Sequence, residues 1–306
     1  MTEELLTRLL ERVENRYFGK HRGFVTDNAD PQNQGRLRVS VPSIFGPDVV
    51  TGWALPCAAH GGADDQGLFF VPEVGAGVWV EFEAGDLEYP IWVGTFWAKP
   101  GGKSEIPKPN NPDGTKQDEA QNPPTRKIIK TLKGHTIQLE DKDGEEMLLV
   151  VEAKNNHVVR MDKDGVKLTE GTKKHVVSFD KDGIKVTHGE NSNEIFVSND
   201  GIKITDAKNS NSIEMAASGV TITDGASAVT VKDKNGNQIV MDASGVTVDD
   251  KNGNKIEMSA AAINILPAVG CNLGGAAANM VNNLPACLFT GAPHAMDGKG
   301  NAKFMK

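Results

Sequence analysis

Hydrophobic and polar positions change rhythm along this chain, and each rhythm marks a different element. In residues 3–17, Leu5, Leu6, Leu9, Leu10, Val13 and Tyr17 recur one, three and four positions apart, which lays them on one stripe of a helix. Glu3, Glu4, Arg8, Glu11, Arg12 and Glu14 decorate the rest. From residue 19 to 99 the period falls to two. Gly23-Phe24-Val25 opens a strand, and Arg36-Leu37-Arg38-Val39-Ser40-Val41-Pro42 alternates polar with apolar. Val78-Trp79-Val80-Glu81-Phe82-Glu83 follows the pair Gly75 and Gly77, and Ile91-Trp92-Val93-Gly94 follows the break at Tyr89-Pro90. Five or six short strands in so short a span predict a small closed barrel, of which the OB-fold is the commonest example. The helix then has two uses, packing on that barrel or touching a neighbouring subunit.

Residues 100–130 read as a linker. Pro100, Pro107, Pro109, Pro112, Pro123 and Pro124 sit among Gly, Lys, Asn and Asp, a mixture that favours extended chain. Beyond it the alternation becomes a repeat. Gly165-Val166-Lys167-Leu168-Thr169 returns as Gly183-Ile184-Lys185-Val186-Thr187, then as Gly201-Ile202-Lys203-Ile204-Thr205 and Gly219-Val220-Thr221-Ile222-Thr223, each step the same length. A second limb keeps register through Val159/Met161, Val177/Phe179, Ile195/Val197 and Ile213/Met215. After a longer step come Ile239/Met241, Val246/Val248, Ile256/Met258 and Ile263/Ile265, and Ile137/Leu139 begins the series upstream.

Each unit holds two short strands, joined by turns such as Asp162-Lys163-Asp164-Gly165, and each strand offers only two inward side chains. No unit buries that pair alone, so units must stack and share a core. Three copies wrapped around one axis would bring the pairs together and leave Lys, Asp, Asn, Glu and Thr outside. A solenoid within one chain is the other arrangement with this period. The first reading makes residues 131–266 a trimeric β-helix. Its core is Val159, Met161, Val166, Leu168, Val177, Phe179, Ile184, Val186, Ile195, Val197, Ile202, Ile204, Ile213, Met215, Val220, Ile222, Ile239, Met241, Val246, Val248, Ile256, Met258, Ile263 and Ile265.

Composition supports a rod more than a globule. Only 38% of the 306 residues are hydrophobic and 6% aromatic, most of the aromatics before residue 100. A net charge of −8 with no basic cluster argues against a nucleic-acid partner. Cys57, Cys271 and Cys287 are too few for a disulfide framework, though a Cys271–Cys287 bond stays open. Met1–Tyr17 has no apolar core of a leader, and no run of eighteen apolar residues spans a membrane.

The stretch Pro72-Glu73-Val74-Gly75-Ala76-Gly77-Val78-Trp79-Val80-Glu81-Phe82-Glu83-Ala84-Gly85-Asp86, followed by Tyr89-Pro90-Ile91-Trp92-Val93-Gly94, resembles the OB domain of tail spikes. That family includes the myophage central spike, baseplate assembly protein V and the valine-glycine repeat protein G of type VI secretion. Gly23-Phe24-Val25 and Gly35-Arg36-Leu37-Arg38-Val39 match its usual start, and the likeness runs from about residue 17 to 265. It implies an all-β chain: a short N-terminal helix (1–18), an OB-fold barrel (19–99), the linker (100–130), an intertwined trimeric β-helix needle (131–266) and a tip segment (267–306). The implied role is the structural spike of a phage-tail-like contractile injection machine, without the hub or lysozyme domains of longer relatives. Its partners would be two further copies, hub and tube baseplate proteins at the N-terminal end, a conical cap at the C-terminal end, and a target membrane on firing. The particle would be assembled in the cytoplasm. A trimeric receptor-binding fibre or adhesin is the alternative, although Phe289 and Phe304 are the only aromatics in its would-be head.

Candidate chemistry is sparse, and no enzyme and no cofactor are expected. Glycosidase chemistry needs two carboxylates at a set separation across a cleft. Here the acids sit in turns such as Asp180-Lys181-Asp182-Gly183, which turn chemistry explains. The same turns lack the distant bidentate Glu of a calcium loop. His60, in a glycine-rich loop, has no orienting partner in the sequence. In the last forty residues Leu284, Cys287, Leu288, Phe289 and His294 form the expected tip and cap contact. His294 is the one candidate metal ligand, because a trimer would offer three such nitrogens to one axial ion. The spike family places a His-x-His pair there, whereas Pro293-His294-Ala295-Met296 lacks the second histidine.

Overall fold

The computed structural model describes residue 7, residues 15–118 and residues 121–268. The helix expected over 1–18 falls almost wholly outside the described residues, Thr7 being helical. The tip segment 267–306, with Leu284, Cys287, Leu288, Phe289 and His294, also lies outside them apart from its first two residues. Two units divide the chain at Lys108/Pro109, residues 109–117 grouping with the repeats.

The first unit is a five-stranded sheet of β1 (His21–Asp27), β2 (Arg38–Ser40), β3 (Leu55–Pro56), β4 (Gly77–Phe82) and β5 (Pro90–Thr95), in the order β2-β1-β4-β5-β3. Register shifts in β1 and β4 curl it, as bulges do. Paired hydrogen bonds between Leu37 and Ala54 then join its two ends. Closure leaves no free edge, so the inward residues of the alternation fill a small core: Val25, Leu37, Val39, Val41, Ala54, Val78, Val80, Phe82 and Trp92. The Trp92 indole N–H is satisfied by the Gly35 carbonyl at 3.1 Å. Asp30 organises the turn-rich loop before β2. Its carboxylate accepts the backbone N–H groups of Gln32, Gln34 and Arg36 and is forked by the Arg36 guanidinium. That guanidinium holds the carboxyl far below the usual carboxylate range.

The second unit is a meander. Its first sheet runs β6 (Arg126–Lys130), β7 (Thr136–Glu140), β8 (Met147–Glu152), β9 (His157–Asp162), β10 (Gly165–Thr169) and β11 (Val176–Asp180). It continues through β12 (Gly183–Thr187), β13 (Glu194–Ser198), β14 (Gly201–Asp206), β15 (Asn211–Ala216) and β16 (Gly219–Thr223). A second sheet holds β17 (Ala228–Lys232), β18 (Gln238–Asp242), β19 (Gly245–Asp249), β20 (Lys255–Ser259) and β21 (Ile263–Leu266). Every strand pairs antiparallel with its sequence neighbours, save that no ladder joins β16 to β17. The all-β class and the barrel-then-repeat order agree with the sequence reading. The hydrogen-bond ladders themselves are made within one chain.

The glycine that opens each repeat has a steric cause. Gly201 follows a two-residue turn with φ 140°, and a Cβ there would land on the Met215 carbonyl oxygen of the neighbouring strand. Side chains are excluded because backbone occupies their place.

The linker range does not behave uniformly. Pro109–Gln117 folds back over one face of β7–β9, and β6 begins at Arg126. Asn110 and Gln138 are both buried and exchange hydrogen bonds, Asn110 N to Gln138 Oε1 at 2.8 Å and Gln138 Nε2 to Asn110 O at 3.1 Å. Leu149, Val151 and Val158 are buried on this face, and Gly114 lies so close to Val158 that no Cβ would fit. The composition suggested extended chain throughout. A few buried amide contacts outweigh it over these nine residues.

Candidate functional site: the apolar face of the repeat sheets

The register stacks the inward residues of the repeat into two columns. One runs Ile129, Ile137, Val150, Val159, Leu168, Val177, Val186, Ile195, Ile204, Ile213 and Ile222. The other runs Leu139, Leu148, Met161, Val166, Phe179, Ile184, Val197, Ile202, Met215 and Val220. In the second sheet the columns are Val229, Met241, Val246, Met258, Ile263 and Val231, Ile239, Val248, Ile256, Ile265. Every residue expected to face a shared core stands in one of these columns.

Alternation puts all of them on one face, and that face is open. Ile204 and Ile213 are each 40% exposed, Phe179 49% and Ile222 51%. Such a stripe leaves on the order of 1,000 Å² of apolar surface uncovered, well above the few hundred a monomer tolerates. The opposite face carries Lys167, Lys185, Lys203 and a threonine from each repeat. Its ion pairs are solvent-exposed, Lys185 with Glu194 at 3.3 Å and Lys203 with Glu214 at 3.4 Å. Among the described residues Phe196 is the one aromatic there, and the Lys185 ammonium covers its ring at 4.7 Å.

The two sheet margins differ. At one, two-residue turns are closed by their own carboxylates: Asp182 N–H and Gly183 N–H both donate to Asp180 Oδ1, and Ser244 N–H donates to Asp242 Oδ1. At the other, six-residue loops separate the aligned pairs Thr169/Val176, Thr187/Glu194 and Thr205/Ser212. These loops are laced together by a ladder the sequence reading missed. His157 Nδ1 accepts Gly171 N–H, His175 Nδ1 accepts Gly189 N–H, Asn193 Oδ1 accepts Ala207 N–H and Asn211 Oδ1 accepts Gly225 N–H, at 2.9–3.1 Å. The signal was present, since His157, His175, Asn193 and Asn211 share the period of the glycines. His and Asn look unlike as residues, yet each presents one acceptor to an N–H.

Titratable groups serve the loops. Glu170 accepts the backbone N–H groups of Lys173 and Thr172, which holds its carboxyl down at about 2. Burial opposes ionisation of Glu140, but hydrogen bonds from Thr125 and Arg126 outweigh it and keep that carboxyl below its ordinary range. His60 sits in an exposed loop, its carbonyl accepting Leu68 N–H. Among the described residues no three His, Cys, Asp or Glu side chains converge as metal ligands, and no helix is long and apolar enough to cross a membrane.

Comparison with known families adds one finding. Residues 21–97 match the family model of the type VI secretion system/phage-baseplate injector OB domain. Among curated proteins, none matches the chain. The matched span coincides with the closed barrel, so the likeness read from Gly23–Val25, Gly35–Val39 and Pro72–Gly94 is borne out. The barrel is a structural domain of baseplates and spikes, which assemble with other baseplate components.

Proposed function

We propose that this chain, a member of the contractile-injection spike family by its injector OB barrel, forms a homotrimer whose repeat sheets line one axis as a shaft. The shaft would lead a contracting tube into a target envelope, with the barrel joining it to hub and tube proteins. The observation that carries this reading is the pair of apolar columns, one unbroken over eleven strands and the other over ten, half-exposed in the single chain. Only further copies of the same repeat match such a stripe in both length and spacing. Each chain would then supply one side of the shaft, with threonine and lysine outside. The role is mechanical and uses no cofactor. A cap protein and an axial metal at His294 remain proposals for the tip segment.

Sedimentation equilibrium tests the assembly. The expected mass is three times the chain mass of 32.8 kDa, and a monomer or dimer would remove the shaft. Gold-labelled C-termini in micrographs of whole particles test the role. Labels on the central axis fit a spike, and labels at the periphery fit a receptor-binding fibre.

A further inference from the structure

The ladder stops between β16 and β17, and the link Asp224–Ser227 differs from every comparable loop around it. Four residues separate Thr223 from Ala228, where six separate Thr169 from Val176, Thr187 from Glu194 and Thr205 from Ser212. Each six-residue loop reverses the chain through a left-handed fifth residue, with φ 63° at Lys174, 56° at Ser192 and 60° at Ser210. No residue of Asp224–Ser227 has positive φ. The link begins as the others do, with Gly225 N–H donating to Asn211 Oδ1 at 2.9 Å, and then lacks the device that turns the strand back.

Both flanking strands are left with open edges. Gly201 is overlain by the Met215 carbonyl of the next strand, whereas Gly219, in the same place of the next repeat and with φ 119°, has nothing within 4 Å of where a Cβ would stand. All of β16 is exposed, Val220 at 68%. An open edge beside an apolar face is an aggregation hazard unless something pairs with it. The alternation nevertheless runs on, because Val229 and Val231 carry the two columns into the second sheet.

We infer that the chain changes sides of the shaft at Asp224–Ser227, so that β17 of one copy pairs with the open edge of β16 in a second copy. The inference rests on the homotrimer reading. A chain that does not reverse keeps its sense around the axis, and β17 then runs parallel to the neighbour's β16 with Thr221 beside Thr230. The occupant of the edge is therefore a second copy of this chain. Ladders within one chain give way here to a ladder between chains, and three such exchanges interlock the trimer at one level.

Thr221 and Thr230 are both exposed and both central to their strands, so they are opposite one another in a parallel or an antiparallel pairing. The test uses the full chain with Cys57→Ser, Cys271→Ser and Cys287→Ser, carrying Thr221→Cys and Thr230→Cys, treated with a short bis-maleimide and run on a denaturing gel. Exchange between copies gives a covalent species of three-chain mass, while the control pair Thr205→Cys and Ser212→Cys stays at one-chain mass. A 221/230 product at one-chain mass means that the chain turns back on itself and overturns the inference. Thiols that react without cross-linking, in a protein that still sediments as a trimer, overturn it as well. Sedimentation of the untreated protein as a monomer would instead sink the homotrimer reading beneath it. Lengthening the link to six residues with an inserted Asn-Ser pair should move the cross-link from three-chain to one-chain mass.

Discussion

Replacing Ile204 by Asp separates an open sheet from a shared core. Ile204 stands between Ile195 and Ile213 in its column, and the single chain already covers about three-fifths of it. Full burial of an isoleucine is worth about 2–3 kcal/mol, so in an isolated sheet the change forfeits roughly 1–2 kcal/mol. In a trimer three carboxylates would meet at one level among isoleucines. Desolvating each costs several kcal/mol with no cation to compensate, a total on the order of 10 kcal/mol. That is about seven decades in the assembly constant. Lys203→Asp, one residue away on the opposite face, loses a pair with Glu214 at 3.4 Å and sets two acids side by side, at a cost under about 1 kcal/mol. Sedimentation equilibrium and thermal melting by circular dichroism read both variants. The reasoning predicts loss of the trimer for the first and a nearly unchanged protein for the second. Two variants that melt and sediment alike would refute the assignment of the faces.

Three further outcomes follow from local geometry. Gly201→Ala puts a Cβ against the Met215 carbonyl oxygen and should destabilise the repeat sheet by about 2–4 kcal/mol, visible as a lowered melting temperature. Gln138→Ala strips the buried Asn110 backbone N–H and carbonyl of their partners at a cost of about 2 kcal/mol, and limited proteolysis should then cut within residues 109–117 far sooner. Glu170 is held near 2 against an ordinary 4.5, so its stabilisation is present above the ordinary value and is lost as the pH falls through about 2. The melting difference between wild type and Glu170→Gln should be full at pH 6, shrink below pH 4.5 and vanish near pH 2.

The period-two alternation made most of this architecture legible before any coordinates. In a strand a side chain has two directions only, so Ile202 and Ile204 against Lys203 already state which face is apolar. The repeat glycines were legible as turn markers, but their deeper cause needed three dimensions. The Met215 carbonyl lies fourteen residues from Gly201 and reaches it only through the strand register. Pro109–Gln117 escaped for the converse reason. Its fixation comes from the Gln138 side chain holding the Asn110 backbone and from the Asn110 side chain bonding Gly114 and Thr136, too few residues to alter a composition dominated by Pro, Lys and Asn. The shortened link was concealed by the continuity of the apolar alternation. Removing two residues from a loop keeps the parity of a strand, so Val229 and Val231 stay inward while the chain loses its turn.

A division of labour follows from that parity. Each backbone ladder between β6 and β16 joins strands adjacent in sequence, so hydrogen bonding is complete over short chain separations and carries little loop-closure entropy. Apolar burial obeys the opposite rule, because no segment of the same chain covers the columns in the described residues. In the proposed trimer, secondary structure is local while the hydrophobic gain is intermolecular. A link that turned back at Asp224–Ser227 would leave three sheets held together by side chains only, free to slide past one another along columns of like residues. The columns themselves do little to fix axial register, since Ile195, Ile204, Ile213 and Ile222 are interchangeable under a shift of whole strands. One exchange of backbone pairing per chain removes that freedom. In the proposed exchange, the edge of β16 would take β17 of the neighbour at one height and no other.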